Sequence, residues 1–166
     1  MKRYWIPENW IEGDRVHLEG EVLHHIHRVC RNDVGSKFEV LTGQNKAFFV
    51  ELKEAGKKRG WAQVLEVREV PVLRKPHIHL ALSMPRFSTF DWILEKAVEL
   101  GVFQIHPFVS DHSFIKTLDR QMLAKRARWE KIVQSASQQS GRGSLMEIME
   151  PSTLDQVLAE FNLLEG

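Results

Sequence analysis

Several features that would identify a protein class at once are missing from this 166-residue sequence. The single cysteine, Cys30, excludes an internal disulfide and is typical of a reducing compartment. No apolar run approaches the roughly 20 residues that cross a bilayer. Pro7, Glu8 and Asn9 follow the basic start before any apolar signal core forms. We therefore expect a cytoplasmic protein with no membrane partner.

An excess of charge of one sign is also lacking. Lys+Arg 23 against Asp+Glu 22 gives a net charge of +1, so RNA binding would have to come from local patches. Neither a Gly-x-Gly-x-x-Gly nor a P-loop spacing occurs, so a Rossmann-type nucleotide site is unsupported.

His24, His25, His27 and Cys30 lack the paired spacing of a zinc site, and we predict no metal. A hydrolase is equally unsupported, because no nucleophile elbow is present.

The first part of the sequence is patterned as short strands. Residues 37–41 and 47–52 flank the turn 42–45, which indicates a hairpin. Other strands are predicted from shorter alternating runs, and one segment has helical spacing. These strands are at residues 3–6, 15–18 and 61–70, and the helix is at residues 21–31. Several short strands with one helix predict a small β-barrel.

Pro71 and Pro76 mark a domain boundary, since prolines favour an extended connection. We predict one domain at residues 1–72 and another at residues 73–166. In the second, a strand at 78–84, a helix capped by Ser88 or Thr89 and a strand at 102–109 predict a parallel βαβ unit. Gly101 is a typical helix stop. Later elements are predicted as a helix from about 117 to 140, a strand at 145–149 and a helix at 153–161 capped by Ser152 or Thr153.

Each of the two longer predicted helices has an apolar side. Trp92, Ile93, Val98 and Leu100 supply it in the first. The helix ending near Ser140 has its own apolar stripe: Met122, Trp129, Ile132, Val133 and Ala136. That helix is also basic, through Arg120, Lys125, Arg126, Arg128 and Lys131. Two interpretations stay open for those charges, a solvated outer face or a surface that follows a phosphate backbone.

Four strings in this sequence carry a family resemblance. They are His24-His25-Ile26-His27-Arg28-Val29-Cys30-Arg31, Met84-Pro85-Arg86, Glu95-Lys96-Ala97-Val98-Glu99-Leu100-Gly101-Val102 and Ser135-Ala136-Ser137-Gln138-Gln139-Ser140-Gly141-Arg142. Together they resemble the RsmE family, S-adenosylmethionine-dependent methyltransferases of a uridine N3 in small-subunit ribosomal RNA. The resemblance extends from about Arg3 to Phe161. It implies an N-terminal PUA-like RNA-binding β-barrel followed by the first part of a SPOUT α/β-knot domain, hence an α/β protein overall. It also implies a homodimer and ribosomal RNA or the 30S particle as partner.

The resemblance also implies where the functional residues lie. The residues expected to line the catalytic cleft are Arg86, Lys96, Glu99, Gln139 and Arg142. The residues expected to contact RNA are Arg28, Arg31, Arg86, Lys96 and Arg142. From spacing alone, Lys96 and Glu99 are equally typical of a surface ion pair, and Arg28 and Arg31 of solvated arginines. The general base is not assigned.

The sequence departs from the family pattern in three respects. The family's knot loops carry Gly-Pro-Glu-Gly-Gly and Leu-Arg-x-Glu-Thr segments, which do not occur here. Asp111-His112-Ser113 stands where the family tends to have Glu-Arg-Ser, and Gln138 replaces a usual glutamate. We therefore expect a fragment or truncated form with the knot absent, no cofactor site in this chain, and the S-adenosylmethionine site beyond Gly166. The alternative is an RNA-binding module without catalytic activity.

Overall fold

The computed structural model describes residues 2–43, 45–118 and 120–164. The chain forms two compact units. The first comprises Met1–Val72 with Gly141–Ser144, and the second comprises Leu73–Ser140 with Leu145–Gly166. The sequence-based domain at 73–166 ran without interruption, whereas Gly141–Ser144 groups with the first unit. The reason is close packing, since a Cβ on Gly143 would lie 2.8 Å from the Cβ of Val70. The domain bounds 1–72 and 73–166 otherwise stay a prediction.

The first unit is a six-stranded sheet that curls into a half-barrel. Its strands are β1 (Arg3–Trp5), β2 (Ile11–Glu12), β3 (Arg15–Glu19), β4 (Lys37–Leu41), β5 (Lys46–Ala55) and β6 (Arg59–Glu69). They are ordered β1-β4-β5-β6-β3-β2, with β1 and β4 parallel and the other pairs antiparallel. Helix α1 (Gly20–His24) continues as a π-helical turn, His25–Val29. A short 3₁₀ turn covers Glu8–Trp10. The predicted small β-structure with one helix is confirmed.

The core of the first unit comes from alternate strand positions covered by α1. Phe38 and Val40 of β4 and Leu52 of β5 are fully buried. Leu23 and Ile26, three residues apart, supply the buried side of the helical segment. Burying side chains of this size contributes about 1.5–3 kcal/mol each, so this cluster is the main source of stability for the half-barrel.

Glu39 breaks the apolar pattern of β4. Alternation would place it on the solvent side with Lys37, whereas its side chain is 1% exposed. Arg3 Nε donates to Glu39 Oε2 at 2.7 Å, and Arg68 Nε donates to Oε1 at 2.7 Å. Burial alone would raise the pKa of Glu39, but the hydrogen bonds from Arg3 and Arg68 outweigh burial and hold that pKa below its usual value. The carboxylate is therefore buried in its charged form.

The second unit is a parallel sheet with helices. Its strands are β7 (His79–Ser83), β8 (Gln104–Val109), β9 (Glu147–Ile148) and β10 (Ser152–Thr153). β8 lies between β7 and the short strands β9 and β10, and all three pairings are parallel. Its helices are α2 (Phe87–Glu99), α3 (Arg120–Ser140) and α4 (Leu154–Leu164). The predicted βαβ unit and parallel sheet are confirmed.

Helix α2 begins earlier than predicted. Arg86 is its N-cap, without a side-chain capping hydrogen bond, so the expected cap at Ser88 or Thr89 is wrong. Pro85 directly precedes that cap. The restricted backbone of proline favours an extended conformation of the chain just before the helix. The predicted stop is confirmed: Gly101 has φ +83° and its N–H donates to Val98 O, in a Schellman arrangement.

The buried side of α2 is formed by Phe90, Leu94, Ala97 and Val98, spaced by three or four residues. Trp92, predicted on this side, is exposed. So is Leu100, directly after the helix. The predicted apolar stripe of α3 is confirmed: Met122, Trp129, Val133 and Ala136 are buried, and Ile132 packs against them. Trp129 and Phe90 meet edge to face with ring centroids 4.7 Å apart.

Helix α4 begins with the capping expected from its sequence. Gln156 N–H donates to Thr153 Oγ1, and Thr153 N–H donates back to Gln156 Oε1 at 3.0 Å. Of the helices in the described part of the chain, none has the length and apolar content needed to span a membrane.

Candidate functional site

The first candidate surface lies where α1 ends. The π-helical turn places Arg28 on the surface, and the next turn exposes Arg31. Arg31 has φ 53°, a left-handed conformation that is normally taken by glycine at a helix end. Such a conformation costs about 1–2 kcal/mol for a side chain with a Cβ. A costly backbone and a π-turn are both features that occur often at functional sites.

Hydrogen bonds made by the neighbouring Asn32 hold the turn at Arg31 in place. Asn32 Nδ2 donates to the hydroxyl of Tyr4 at 3.1 Å, and Asn32 N–H donates to Ile26 O. His27 Nδ1 lies 2.9 Å from Asn32 O. Burial, with the neighbouring Cys30 thiol, raises the pKa of Tyr4 far above its usual value. Tyr4 therefore stays a neutral hydroxyl and supports the turn rather than exchanging protons.

The second candidate surface lies at the carboxyl ends of β7 and β8 in the second unit. Arg86 follows β7, and the loop after β8 carries Phe114. The Arg86 guanidinium carbon lies 4.6 Å from the centroid of the Phe114 ring. Both side chains are exposed. In open α/β sheets, ligands bind outside this edge.

A serine cluster holds the loop after β8 in place. Ser113 Oγ lies 2.7 Å from Ser83 Oγ and accepts from Ser110 N–H at 2.8 Å. The N–H groups of Phe114 and Ile115 both donate to Met84 O, at 3.0 and 3.2 Å. The loop is therefore attached to the end of β7 by side-chain and backbone hydrogen bonds.

Lys96 and Glu99 lie elsewhere on the second unit. Lys96 is ten residues beyond Arg86, about 15 Å along the axis of α2. Its Nζ donates to Glu99 Oε2 at 2.8 Å and lies 3.6 Å from Glu95. The hydrogen bond to Glu99 raises the pKa of Lys96. The surface ion pair that the spacing indicated is therefore present, and it lies about three helical turns along α2 from Arg86.

Gln139 and Arg142 are the last two residues predicted to line the cleft. Gln139 is exposed at the last turn of α3. α2 connects β7 to β8 and α3 connects β8 to β9, and because these strands are parallel the two helices run in the same direction. Gln139 is thus at the opposite end from Arg86. Arg142 belongs to the first unit and is only 8% exposed, and burial lowers its pKa.

The basic side chains of α3 are largely engaged within the second unit. Arg128 Nη2 lies 2.8 Å from Asp91 Oδ2. Arg126 Nε donates to Glu130 Oε1 at 3.0 Å, and Arg126 Nη2 donates to Ile148 O at 3.1 Å. Of the two interpretations of this helix, the charged structural face has the better support from geometry.

No group of three or more histidine, cysteine, aspartate or glutamate side chains placed to hold a metal ion occurs within residues 2–43, 45–118 and 120–164. Phe114 and Ser113 were missed by the sequence-based site prediction, because a single aromatic in a polar loop has no periodicity. Their position in the chain could have indicated them, because the segments that hold Arg86 and Phe114 each follow the end of one of two consecutive parallel strands.

Comparison with known families identifies both units. Residues 73–164 match the family described as an RNA methyltransferase domain, and residues 18–65 match the RNA methyltransferase PUA domain. The ribosomal RNA small subunit methyltransferase E of Bacillus subtilis is 28% identical over 165 residues, covering 95% of this chain and 63% of the relative. That of Synechocystis is 32% identical over 151 residues, covering 90% and 47%. The chain therefore spans about half to two-thirds of the length of these relatives.

Solved structures give the same assignment. A methyltransferase of Legionella pneumophila, in complex with SAM, superposes with a TM-score of 0.86 at 28% identity, covering 95% of this chain and 65% of that one. The ribosomal RNA small subunit methyltransferase E of Neisseria gonorrhoeae, bound to S-adenosyl methionine, gives 0.84 at 28% identity, covering 95% and 64%.

A PUA domain joined to a parallel α/β domain that matches an RNA methyltransferase family defines the class of this protein. The chain belongs to the RsmE family of RNA methyltransferases, as the four sequence strings indicated.

Proposed function

We propose that the full-length protein methylates N3 of a uridine in small-subunit (16S) ribosomal RNA, with S-adenosylmethionine as the methyl donor. The observation that carries the proposal is the joining of the two matched domains in one chain that aligns over 95% of its length with a ribosomal RNA small subunit methyltransferase E. A ribosomal substrate favours a cytoplasmic location. The family resemblance also favours a homodimer.

The proposal assigns the cofactor site to the part of the relatives that these 166 residues do not span. Close backbone approach to a cofactor usually needs glycine. Gly101 is the only glycine among the described residues of the second unit, and it ends α2 with Leu73 3.8 Å from its Cβ position. Gly141 and Gly143 pack within the first unit, against Arg3 and Val70. The described residues therefore do not fit S-adenosylmethionine, and we expect this chain alone to be inactive.

The residues of this chain are proposed to bind and present the RNA. Methylation at N3 requires the uracil imide to lose its proton, and cations near the carbonyl oxygens would stabilise the resulting anion. A base in folded RNA must often be turned out of its stack to be reached. Arg28, Arg31 and Arg86 are exposed and suited to contact phosphates or bases. Lys96 and Arg142 remain proposed contacts, with less support, because Lys96 is paired with Glu99 and Arg142 is buried.

The activity is tested with full-length protein, 30S particles lacking the modification, and S-adenosylmethionine. Nucleosides from digested ribosomal RNA are then separated and identified by mass spectrometry. We expect N3-methyluridine from the full-length protein and none from the 166-residue chain. Methylation at another atom, or only of large-subunit RNA, would contradict the proposal. Micromolar binding of S-adenosylmethionine to the 166-residue chain would contradict the assignment of the cofactor site.

The RNA surface is tested by affinity for a small-subunit ribosomal RNA fragment across a salt series. Removing a phosphate contact should weaken binding at every sequence and reduce the salt slope by about one unit. Arg31→Ala tests the family string at residues 24–31, and Arg142→Ala tests the string at residues 135–142. Arg59→Ala is the control, because Arg59 is 88% exposed and lies outside the family strings. If Arg31→Ala and Arg142→Ala keep wild-type affinity and slope, both residues are structural.

The alternative is that this chain serves as an RNA-binding module without catalysis. The PUA domain match favours it. The two proposals differ in one observation: the module requires RNA affinity in this chain but no methylation by any longer form.

A further inference from the structure

The exposed ring of Phe114 has no place in the hydrophobic core. Its side chain is 63% exposed, among the largest exposures of any apolar residue described. The loop around it is not loose, because Met84 O accepts hydrogen bonds from the N–H groups of both Phe114 and Ile115. An aromatic ring that is held by a fixed loop and still faces solvent is an energetic cost to the free protein, which a ligand would remove.

Arg86 makes this exposed ring a composite surface. Its guanidinium lies over the Phe114 ring, with 4.6 Å between the guanidinium carbon and the ring centroid. Within the described ranges, no carboxylate lies within ion-pairing distance of Arg86. By contrast, Arg126 pairs with Glu130 and Glu150, and Arg128 pairs with Asp91. None of the carboxylates that the structure describes in the second unit therefore neutralises the charge of Arg86. A planar cation stacked on an aromatic ring presents both a π-face and a positive charge.

Nearby groups add to this surface without blocking it. Lys116 follows Phe114 by two residues and is exposed, and His112 precedes it by two and is also exposed. Ser113 is buried and takes part in the hydrogen bonds that fix the loop. The loop thus has a rigid base and an exposed outer side that carries an aromatic ring, Lys116, His112 and one acidic residue, Asp111. Unpaired nucleotides are bound in this manner, by stacking on aromatic or arginine planes beside a cationic path for phosphate.

We propose that Phe114, with Arg86 stacked on it, forms a platform on which an unpaired nucleobase of the RNA stacks, next to a phosphate held by Arg86. This inference deepens the proposed function and rests on it. It assigns a role in positioning RNA to Phe114, a residue outside the strings that carry the family resemblance. It also gives the substrate class that this surface takes: single-stranded or locally opened RNA rather than a continuous duplex.

The test separates stacking from charge with two probes of equal length. One is a uridine oligonucleotide, and the other is an abasic ribose-phosphate oligonucleotide with the same number of phosphates. Loss of one base–aromatic stack should weaken binding about five- to 150-fold. We expect Phe114→Ala to weaken binding of the uridine oligonucleotide by that factor and to leave binding of the abasic oligonucleotide unchanged. Arg86→Ala should weaken both.

Two control variants test whether the effect is specific to an aromatic ring at position 114. Phe114→Trp keeps a flat aromatic ring and should retain binding of the uridine oligonucleotide. Trp92→Ala removes an aromatic ring of similar exposure, 60%, from the surface of α2 and should have no effect on either probe. Because Phe114 is exposed, Phe114→Ala should fold, which circular dichroism and thermal unfolding check.

The outcomes distinguish this inference from the proposed function. If wild-type protein binds RNA and Phe114→Ala binds both probes like the wild type, the platform is wrong and the proposed function stands. If wild-type protein binds neither probe nor a ribosomal RNA fragment, both are overturned. If Phe114→Ala changes the oligomeric state in sedimentation and not RNA affinity, the ring contacts a second copy of the chain and the platform is again wrong.

Discussion

Replacing Glu39 by glutamine tests the electrostatic centre of the first unit. The variant has the same shape and removes one negative charge, leaving Arg3 and Arg68 without their carboxylate. Breaking a buried ion pair by removing one partner costs about 3–5 kcal/mol. Here Arg3 and Arg68 are 21% and 40% exposed, so water takes over part of their solvation. The glutamine can also still accept a hydrogen bond. We therefore expect a loss of about 2 kcal/mol in the free energy of unfolding at pH 7.

The same contacts predict a pH dependence with a definite sign. The folded-state pKa of Glu39 is held below its usual value. Its contribution is then fully present above the unfolded-state pKa of about 4.3 and is lost as the pH falls through the folded-state value. The difference in unfolding free energy between wild type and Glu39→Gln should be constant from about pH 5 to 8 and should shrink below about pH 4.

Urea unfolding followed by tryptophan fluorescence at several pH values measures both quantities. Trp5, Trp10 and Trp61 report on the first unit. Glu66→Gln is the matched control, because Glu66 is exposed on β6 of the same sheet, and its effect should stay within about 0.5 kcal/mol. The reasoning fails if Glu39→Gln unfolds like the wild type at pH 7, or if its deficit is the same at pH 3.5 as at pH 7.

Two further substitutions have expected outcomes of opposite sign. Arg31→Gly removes the Cβ from a left-handed residue, so it should raise the unfolding free energy of the first unit by up to about 1 kcal/mol. It should also lower RNA affinity; urea unfolding and RNA titration of the same sample check both, and lower stability would contradict the strain argument. Trp129→Ala removes a fully buried ring that contacts Phe90 and should cost about 3–5 kcal/mol. Thermal unfolding measures this, with the exposed Trp92→Ala as a control expected to be near neutral, and equal losses in the two variants would contradict the packing described for α2 and α3.

Most of the fold was predictable because its elements carry local periodic signals. The apolar spacing of α3 and the glycine stop of α2 are set by residues within a few positions of each other. The start of α2 was mispredicted because Ser88 and Thr89 are good capping residues by type, whereas the entry is fixed by Pro85 and Arg86. Trp92 shows a different limit, since an apolar residue type indicates burial only when its helical face is known.

The candidate site was less predictable because it depends on partners that are distant in sequence. Arg86 lies over the ring of Phe114, 28 residues further along the chain, and no local pattern links the two. The spacing of Lys96 and Glu99 indicated an ion pair correctly and could not reveal which end of the sheet it would occupy. The roles of Arg28 and Lys96 in RNA binding stay predictions, and so do the roles of Glu99 and Gln139 in the catalytic cleft.

The grouping of Gly141–Ser144 with the first unit affects how parts of this family can be exchanged. A chimera made by one crossover between Val72 and Leu73 would replace those four residues along with the second unit. Any donor residue larger than glycine at position 143 would then meet the host's Val70, 2.8 Å from the new Cβ, and Pro71 O at 3.2 Å. Such hybrids should be made with two additional junctions that return residues 141–144 to the host sequence. The unit that is exchanged is therefore discontinuous in sequence.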